Sequence, residues 1–193
     1  ENVVKDREVT AKTEFALLAD ERAVYLGVKC YEPDMEAVRA MPPASLWSGN
    51  TVEFFFAPSG SAFDFYHFAV GYAESSGVYS DFASEGGNIH PDPYKPEWQV
   101  ARGEFDGGWT LEIALPLAAF YMNRNAHWTE EWLVNVCRNR LVKSNRELTS
   151  WSPLFSGFAE PKRFRKMKGF PKRRAADDVA MLGGEVEAHA AVV

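Results

Sequence analysis

Alternation of apolar and other side chains with a period of two recurs along most of this chain. It limits the fold more than any other feature, because such a segment buries one face of a sheet and cannot bury one stripe of a helix. Val24, Leu26, Val28 and Cys30 line one face of a run whose other face carries Tyr25, Gly27, Lys29 and Tyr31. The same pattern sets Val52, Phe54 and Phe56 against Glu53 and Phe55, and Tyr66, Phe68, Val70 and Tyr72 against His67, Ala69 and Gly71. Further strands are expected over 98–103, 109–115 and 132–140, with a short one near 148–151. Asp106-Gly107-Gly108 separates two of these runs where a hairpin needs residues that accept positive φ. The stretch 84–96 holds two glycines and three prolines, so it is a long connection, the kind of segment on which a rigid sheet scaffold often carries binding residues. Helical signal is confined to 34–40 and to one turn after Pro116, and no fixed repeat points to a propeller or solenoid.

A chain of 193 residues fits one such domain with a substantial core. Residues 1–168 are expected to form a single β-sandwich or barrel. After Met167 the character changes to a basic cluster, Asp177-Asp178 and an Ala- and Val-rich end, so 169–193 read as a tail, or as an extra edge strand through the alternation Val186, Ala188, Ala190, Val192.

Charge and cysteine content exclude several functions. A net charge of −6 argues against wrapping a nucleic acid, which needs a basic surface that releases counterions. No apolar run approaches the roughly 20 residues of a membrane helix. Glu1 opens a polar segment without a charged-then-apolar leader, so the chain is expected to be soluble, with any leader already removed. The two cysteines, Cys30 and Cys137, lie in apolar runs and read as buried free thiols, although one bridge between them is open.

Motifs for catalysis are missing. The glycine pairs at 86–87 and 107–108 precede no phosphate-binding helix, the four histidines never occur at metal-ligand spacing, and no Gly-x-Ser-x-Gly elbow is present. Glu53 and Glu112 lie in strands, as glycosidase carboxylates can, but strand glutamates on a solvated face are far commoner. The aromatic content of 14% is the more informative feature. Sugar rings present flat C–H faces on which indole and phenyl rings stack, while neighbouring polar groups take the hydroxyls. Such a site wants rings in loops, and Trp47, Phe155 and Phe158 sit in segments too rich in Pro, Ser and Gly to continue a sheet.

Five motifs then fall in an order that resembles carbohydrate-binding module family 9 and its DOMON-like relatives. They are Asp20-Glu21-Arg22-Ala23-Val24-Tyr25-Leu26-Gly27-Val28-Lys29-Cys30-Tyr31, Leu46-Trp47-Ser48-Gly49-Asn50-Thr51-Val52-Glu53-Phe54-Phe55, Gly107-Gly108-Trp109-Thr110-Leu111-Glu112-Ile113-Ala114-Leu115-Pro116, Asn135-Val136-Cys137-Arg138, and Thr149-Ser150-Trp151-Ser152-Pro153 ending in Pro161-Lys162-Arg163-Phe164. The resemblance runs over residues 13 to 164.

The resemblance implies an all-β, two-sheet antiparallel sandwich of immunoglobulin-like or jelly-roll type with only short helical turns. It also implies a non-catalytic domain that binds oligo- or polysaccharide, secreted to the extracellular space or periplasm and associated with a glycan-degrading protein. By motif, the sugar-gripping rings are Trp47 and Phe158, with polar help from Asn50, His67 and Arg138. Glu53 and Trp109 read as fold residues. Arg138 has two readings: a structural arginine paired with Glu53 or Glu112, which is favoured, or a hydrogen-bond donor to sugar. Structural calcium is implied too, with Asp20, Glu21, Asp81 and Glu85 as oxygen ligands available in loops and strand ends. Two alternatives stand beside the sugar reading. One is an interaction domain of the same fold without a sugar site. The other is a haem b domain using Met35, Met41, His67 or His90, as in related sandwiches.

Overall fold

The computed structural model describes residues 8–40, 45–84, 94–122 and 127–172. Among these residues, ten strands form two antiparallel sheets. One holds β1 (Thr13–Ala19), β2 (Ala23–Tyr31), β7 (Gly108–Pro116) and β6 (Gln99–Phe105) in that spatial order. The other runs β10 (Arg165–Lys168), β8 (Glu131–Val142), β3 (Thr51–Ala57), β4 (Asp64–Gly71) and β5 (Val78–Ser84). The long β8 is shared on its far side, where β10 pairs with its first half and β9 (Asn145–Ser150) with its second. One short helix among the described residues, α1 (Met35–Ala40), follows β2, capped by Asp34, whose side chain accepts the Ala37 N–H at 3.0 Å. The all-β sandwich expected from the alternation is the fold observed.

The side chains assigned to inward faces meet between the sheets. Val24, Leu26, Val28 and Cys30 of β2 and Trp109, Leu111, Ile113 and Leu115 of β7 pack against Val52, Phe54 and Phe56 of β3, Tyr66, Phe68 and Val70 of β4, and Trp132, Val134 and Val136 of β8. Phe120, on the turn after Pro116, fills one end against Phe56, Tyr66, Phe68 and Trp132. Phe170 is buried and stacks on Trp132 at 4.3 Å, so the packed domain runs past the expected boundary at 168. The rest of the expected tail, from 173 on, lies outside the described residues.

The β6–β7 hairpin needs both of its glycines. Gly107 has φ 97°, and a Cβ on Gly108 would meet the Cys30 carbonyl oxygen at 2.2 Å. The β8–β9 hairpin carries no such signal: it turns through Lys143 and Ser144 at φ 47° and 68°, a two-residue turn without the Asn or Gly that usually marks it. β1, β5 and β10 were likewise not expected from the sequence. Each is an edge strand on its sheet or pairs with only part of β8, so its faces are half-buried and its alternation is blurred.

A buried ion network ties the two sheets together. Glu32, 1% exposed just past β2, accepts hydrogen bonds from Arg140 Nε at 2.7 Å and Nη2 at 2.8 Å and lies 3.4 Å from Arg138 Nη2. Arg138, also 1% exposed, donates from Nη1 to the carbonyls of Tyr31 and Lys12 and to Thr13 Oγ1, and its guanidinium lies over the Trp109 ring. The arginine is therefore structural, as favoured, but its carboxylate partner is Glu32 rather than Glu53 or Glu112. The reason is strand parity: Arg138 shares the inner face of β8 with Val134 and Val136, whereas Glu53 points out of the opposite face of the six-stranded sheet and Glu112 is exposed on β7.

Cys30 and Cys137 are both free and buried. Cys30 belongs to the core between the sheets and Cys137 to a second apolar cluster on the outer face of the six-stranded sheet, so a bridge between them is ruled out by placement.

Candidate functional site

The outer face of the six-stranded sheet differs in its two halves. Over one half, the segment after β9 folds back, and Leu154, Phe158 and Phe164 pack on Phe55, Ala57, Phe65, Ala83, Leu133 and Cys137. Asn135 anchors this segment, its Oδ1 accepting the Ser152 N–H and hydroxyl at 3.0 Å each. That contact gives a physical reason for the pairing of Asn-x-x-Arg with Ser-Trp-Ser: the asparagine clamps the returning loop from the outer face while the arginine three residues on locks the inner one.

Over the other half stands Trp47. The residue lies in a short 3-10 turn, Leu46–Ser48, between α1 and β3. Four side chains fix that turn to the sheet. Thr51 Oγ1 donates to the Leu46 carbonyl at 2.6 Å, Asn139 donates to the Gly49 carbonyl, and Arg146 donates to that of Trp47 itself. Asn50 bridges to β8 through its amide, donating to the Leu141 carbonyl at 2.9 Å and accepting the Leu141 N–H at 3.1 Å. The indole is 45% exposed, and its inner side rests on Tyr79, edge-on at 5.1 Å between centroids, and His67 at 6.0 Å.

Beneath the indole lies a polar cluster that follows from register. β3 pairs Phe55 with His67, and β4 pairs His67 with Asp81, so these share one outward row, while Glu53, Ala69 and Tyr79 share the next. His67 stacks on Phe55 at 4.3 Å and 12°, and its Nε2 lies 2.8 Å from Glu53 Oε2 across the diagonal. Tyr79 donates its hydroxyl to Asp81 Oδ2 at 2.9 Å, and Asp81 Oδ1 accepts the Phe82 N–H. Burial, then the Asp81 carboxylate, push the Tyr79 phenol up to about 12, so it stays protonated at neutral pH. The result is an exposed indole face beside a carboxylate, an imidazole and a phenol, an arrangement that can stack an apolar ring face and hydrogen-bond its substituents.

Of the residues expected at the site, Trp47 and His67 come together. Phe158 lies on the same outer face but is half-buried in the apolar cluster, and the more exposed ring of that segment is Phe155, at 67%. Asn50 is buried with both amide atoms committed to Leu141, so it positions the Trp47 turn rather than facing outward. Arg138 is on the opposite face of the sheet, within the core. Glu53, taken for a fold residue, is at the site; the parity that put it opposite Val52 and Phe54 already placed it on the face of His67. Tyr79 was missed because β5 was not read as a strand.

The three expected calcium ligands among the described residues do not converge on one cation. Asp20 caps the β1–β2 turn, its Oδ1 accepting the N–H groups of Arg22 and Ala23, and those bonds hold its carboxyl below the usual carboxylate range. Glu21 is exposed in that same turn. Asp81 is on the other sheet with both oxygens engaged, and Glu85 lies outside the described residues. Among the described residues, no group of three or more His, Cys, Asp or Glu side chains converges as a metal site. The two described haem candidates do not pair: Met35 is buried in the core and His67 is held by Glu53, while Met41 and His90 lie outside the described residues.

No protein-family model matches the chain, and no curated protein does. Solved structures do share its fold. A family 9 carbohydrate-binding module from Caldicellulosiruptor kristjanssonii in complex with glucose superposes with a TM-score of 0.60 at 15% identity, covering 86% of this chain and 80% of that one. The same module with cellotriose gives 0.59 at 15% identity, covering 86% and 78%. A candidate carbohydrate-binding protein from Bacteroides uniformis gives 0.63 at 17% identity, covering 89% and 84%. The chain has the fold of a family 9 carbohydrate-binding module.

Proposed function

We propose that this domain is a non-catalytic carbohydrate-binding module that stacks a sugar ring on Trp47 and takes its hydroxyls with Glu53, His67 and Tyr79. The observation that carries this reading is the indole itself. A large apolar ring left 45% exposed, on a turn fixed by four side chains and propped by two other rings, is costly to maintain in water and pre-organised for a flat ligand face. The carboxylate and imidazole, 2.8 Å apart and mostly buried beneath it, offer an acceptor and a second polar group to the hydroxyls of a ring stacked on the indole. The shared fold with a module solved in complex with glucose and cellotriose supports the same choice of ligand class.

Polysaccharides too large to cross a membrane are met outside the cell, so we place the domain in the extracellular space or periplasm, serving a glycan-degrading protein. Its two thiols suit that setting because both are buried and apart, beyond the reach of oxidants and of each other.

Trp47→Ala tests the function. Isothermal titration with cellotriose and xylotriose is expected to show binding to the native domain and none to the variant, with the melting temperature within a degree or two. A variant that melts several degrees lower yet keeps its sugar affinity makes Trp47 a packing residue and overturns the reading.

A further inference from the structure

The outer face of the four-stranded sheet carries a trough. Register sets Ala16, Gly27, Glu112 and Ala101 side by side across β1, β2, β7 and β6, so the middle row of this face is three small residues and one carboxylate. On one side the next row is Leu18, Tyr25, Ala114 and Gln99, and on the other it is Glu14, Lys29, Thr110 and Gly103. Two hollows of about 580 and 360 Å³ lie over these rows and share Ala16, Gly27 and Glu112. With strands about 4.8 Å apart, the trough is roughly 14 Å long from β1 to β6. Leu18 is 69% exposed and Tyr25 37%, so one wall offers an open apolar surface that includes a ring. Gly27 keeps the trough open. It sits mid-strand in β2, its backbone is not left-handed, and an added Cβ would meet no heavy atom within 4 Å. Neither conformation nor packing within the domain calls for glycine there, although glycine weakens a strand interior. What a side chain would remove is the free space in which a ligand can approach the sheet closely.

We propose that this trough is a separate carbohydrate site, on the sheet opposite Trp47, that takes one extended chain of a neutral polysaccharide. Charge selects the ligand first. The charged side chains of the three rows are Glu14, Lys29 and Glu112, and Glu14 is paired with Lys12, so the signs cancel. A polyanion meets two carboxylates here and a basic peptide meets two ammonium groups, whereas an uncharged polyol finds donors and acceptors of both kinds. Backbone pairing selects against an extended peptide. β2 pairs with β1 and β7, and β7 with β2 and β6, so the strands that form the floor have their backbone groups committed within the sheet. A peptide lying across them would bury its own amides without partners, which is costly. Hydroxyls need only side chains, and Glu112, Gln99, Lys29 and Thr110 supply a carboxylate, an amide, an ammonium and a hydroxyl. The Tyr25 ring, beside Leu18, gives a sugar face its stacking surface.

An open trough gathers affinity only from a chain that spans it from rim to rim, so the probes are cellohexaose and xylohexaose, with hexagalacturonate as the charged control. They are titrated into the native domain, Gly27→Val, Trp47→Ala, and Trp47→Ala combined with Gly27→Val or with Glu112→Ala. Melting temperatures report folding, and Gly27→Val is expected to melt at or above the native value because its side chain enters free space on a strand. Trp47→Ala is expected to keep measurable affinity for a neutral hexasaccharide and none for hexagalacturonate. Adding Gly27→Val is expected to abolish that binding, and adding Glu112→Ala to weaken it on the order of tenfold. Trp47→Ala without affinity for either neutral hexasaccharide overturns the trough and leaves the Trp47 reading standing, as does a folded double variant that binds as Trp47→Ala does. Gly27→Val without any binding, beside a Trp47→Ala that binds natively, keeps the trough and removes Trp47. Preference for hexagalacturonate overturns the choice of a neutral chain. A native dimer in sedimentation that Gly27→Val dissociates, with sugar affinity unchanged, assigns the face to a second copy of this chain and overturns the proposal.

Discussion

Glu32 is the residue whose loss the structure predicts most sharply. It is 1% exposed and is the carboxylate on which the buried Arg138 and the half-buried Arg140 converge. Glu32→Ala leaves Arg138, itself 1% exposed, with two backbone carbonyls and the Thr13 hydroxyl but without its nearest counter-charge, and Arg140 with Glu147 at 3.6 Å and the Thr10 hydroxyl. Removing one partner of a buried ion pair costs about 3–5 kcal/mol, which in a domain of this size corresponds to a fall of roughly 10 °C in melting temperature. The reverse deletion is milder. Arg138→Met leaves Glu32 still bonded twice by Arg140 and once by the Asp34 N–H at 3.1 Å, so its cost is expected to be clearly smaller than that of Glu32→Ala. Acid behaviour follows from the same contacts. Burial opposes the Glu32 charge, but the hydrogen bonds from Arg140 and Asp34 and the charges of both arginines hold its pKa below the ordinary glutamate value. A carboxyl depressed on folding contributes stability that is present above its unfolded pKa and is lost as pH falls through the folded one. The gap in stability between native protein and Glu32→Gln is therefore expected to be widest near neutral pH and to narrow on acidification below about pH 4. Urea unfolding across pH measures both quantities, with the exposed Glu112→Gln as a control expected within about 0.5 kcal/mol of native. A Glu32→Ala protein as stable as that control, or Arg138→Met costing more than Glu32→Ala, refutes this account of the network.

Two further outcomes are expected. Burial pushes the Cys30 thiol up to about 12 and that of Cys137 also well above its ordinary value, so neither is expected to react with a thiol-specific disulfide reagent at pH 8 until the domain is unfolded; rapid labelling of the native state contradicts their placement. A chelator is expected to leave the melting temperature unaltered, because Asp20 and Asp81 spend their oxygens on turn and strand hydrogen bonds; a calcium-dependent rise in stability refutes this.

The sequence by itself determined the sandwich, its inner faces and the glycine hairpin, because a period of two reports burial on one side of a sheet and Gly107-Gly108 reports a backbone that other residues resist. It also isolated Trp47, since a large ring among breakers has no strand in which to hide. It missed β5 and the tight turn at Lys143-Ser144, whose residues carry neither clean alternation nor turn chemistry, and Tyr79 was lost with β5. Only the tertiary structure decided which polar residues face outward. Asn50 and Glu53 are three residues apart in one motif and both are buried, yet Asn50 spends its amide on Leu141 while Glu53 meets His67 beneath the Trp47 ring. The sequence favours a scaffold role for Arg138 but points to the wrong carboxylate: Glu32, a residue in none of the motifs, is its counter-charge. Periodicity along a strand says which side a residue is on. What waits for it there depends on which strands are neighbours and which loops fold back over them, and that is set by contacts more than a hundred residues apart, such as the one joining Arg140 to Glu32.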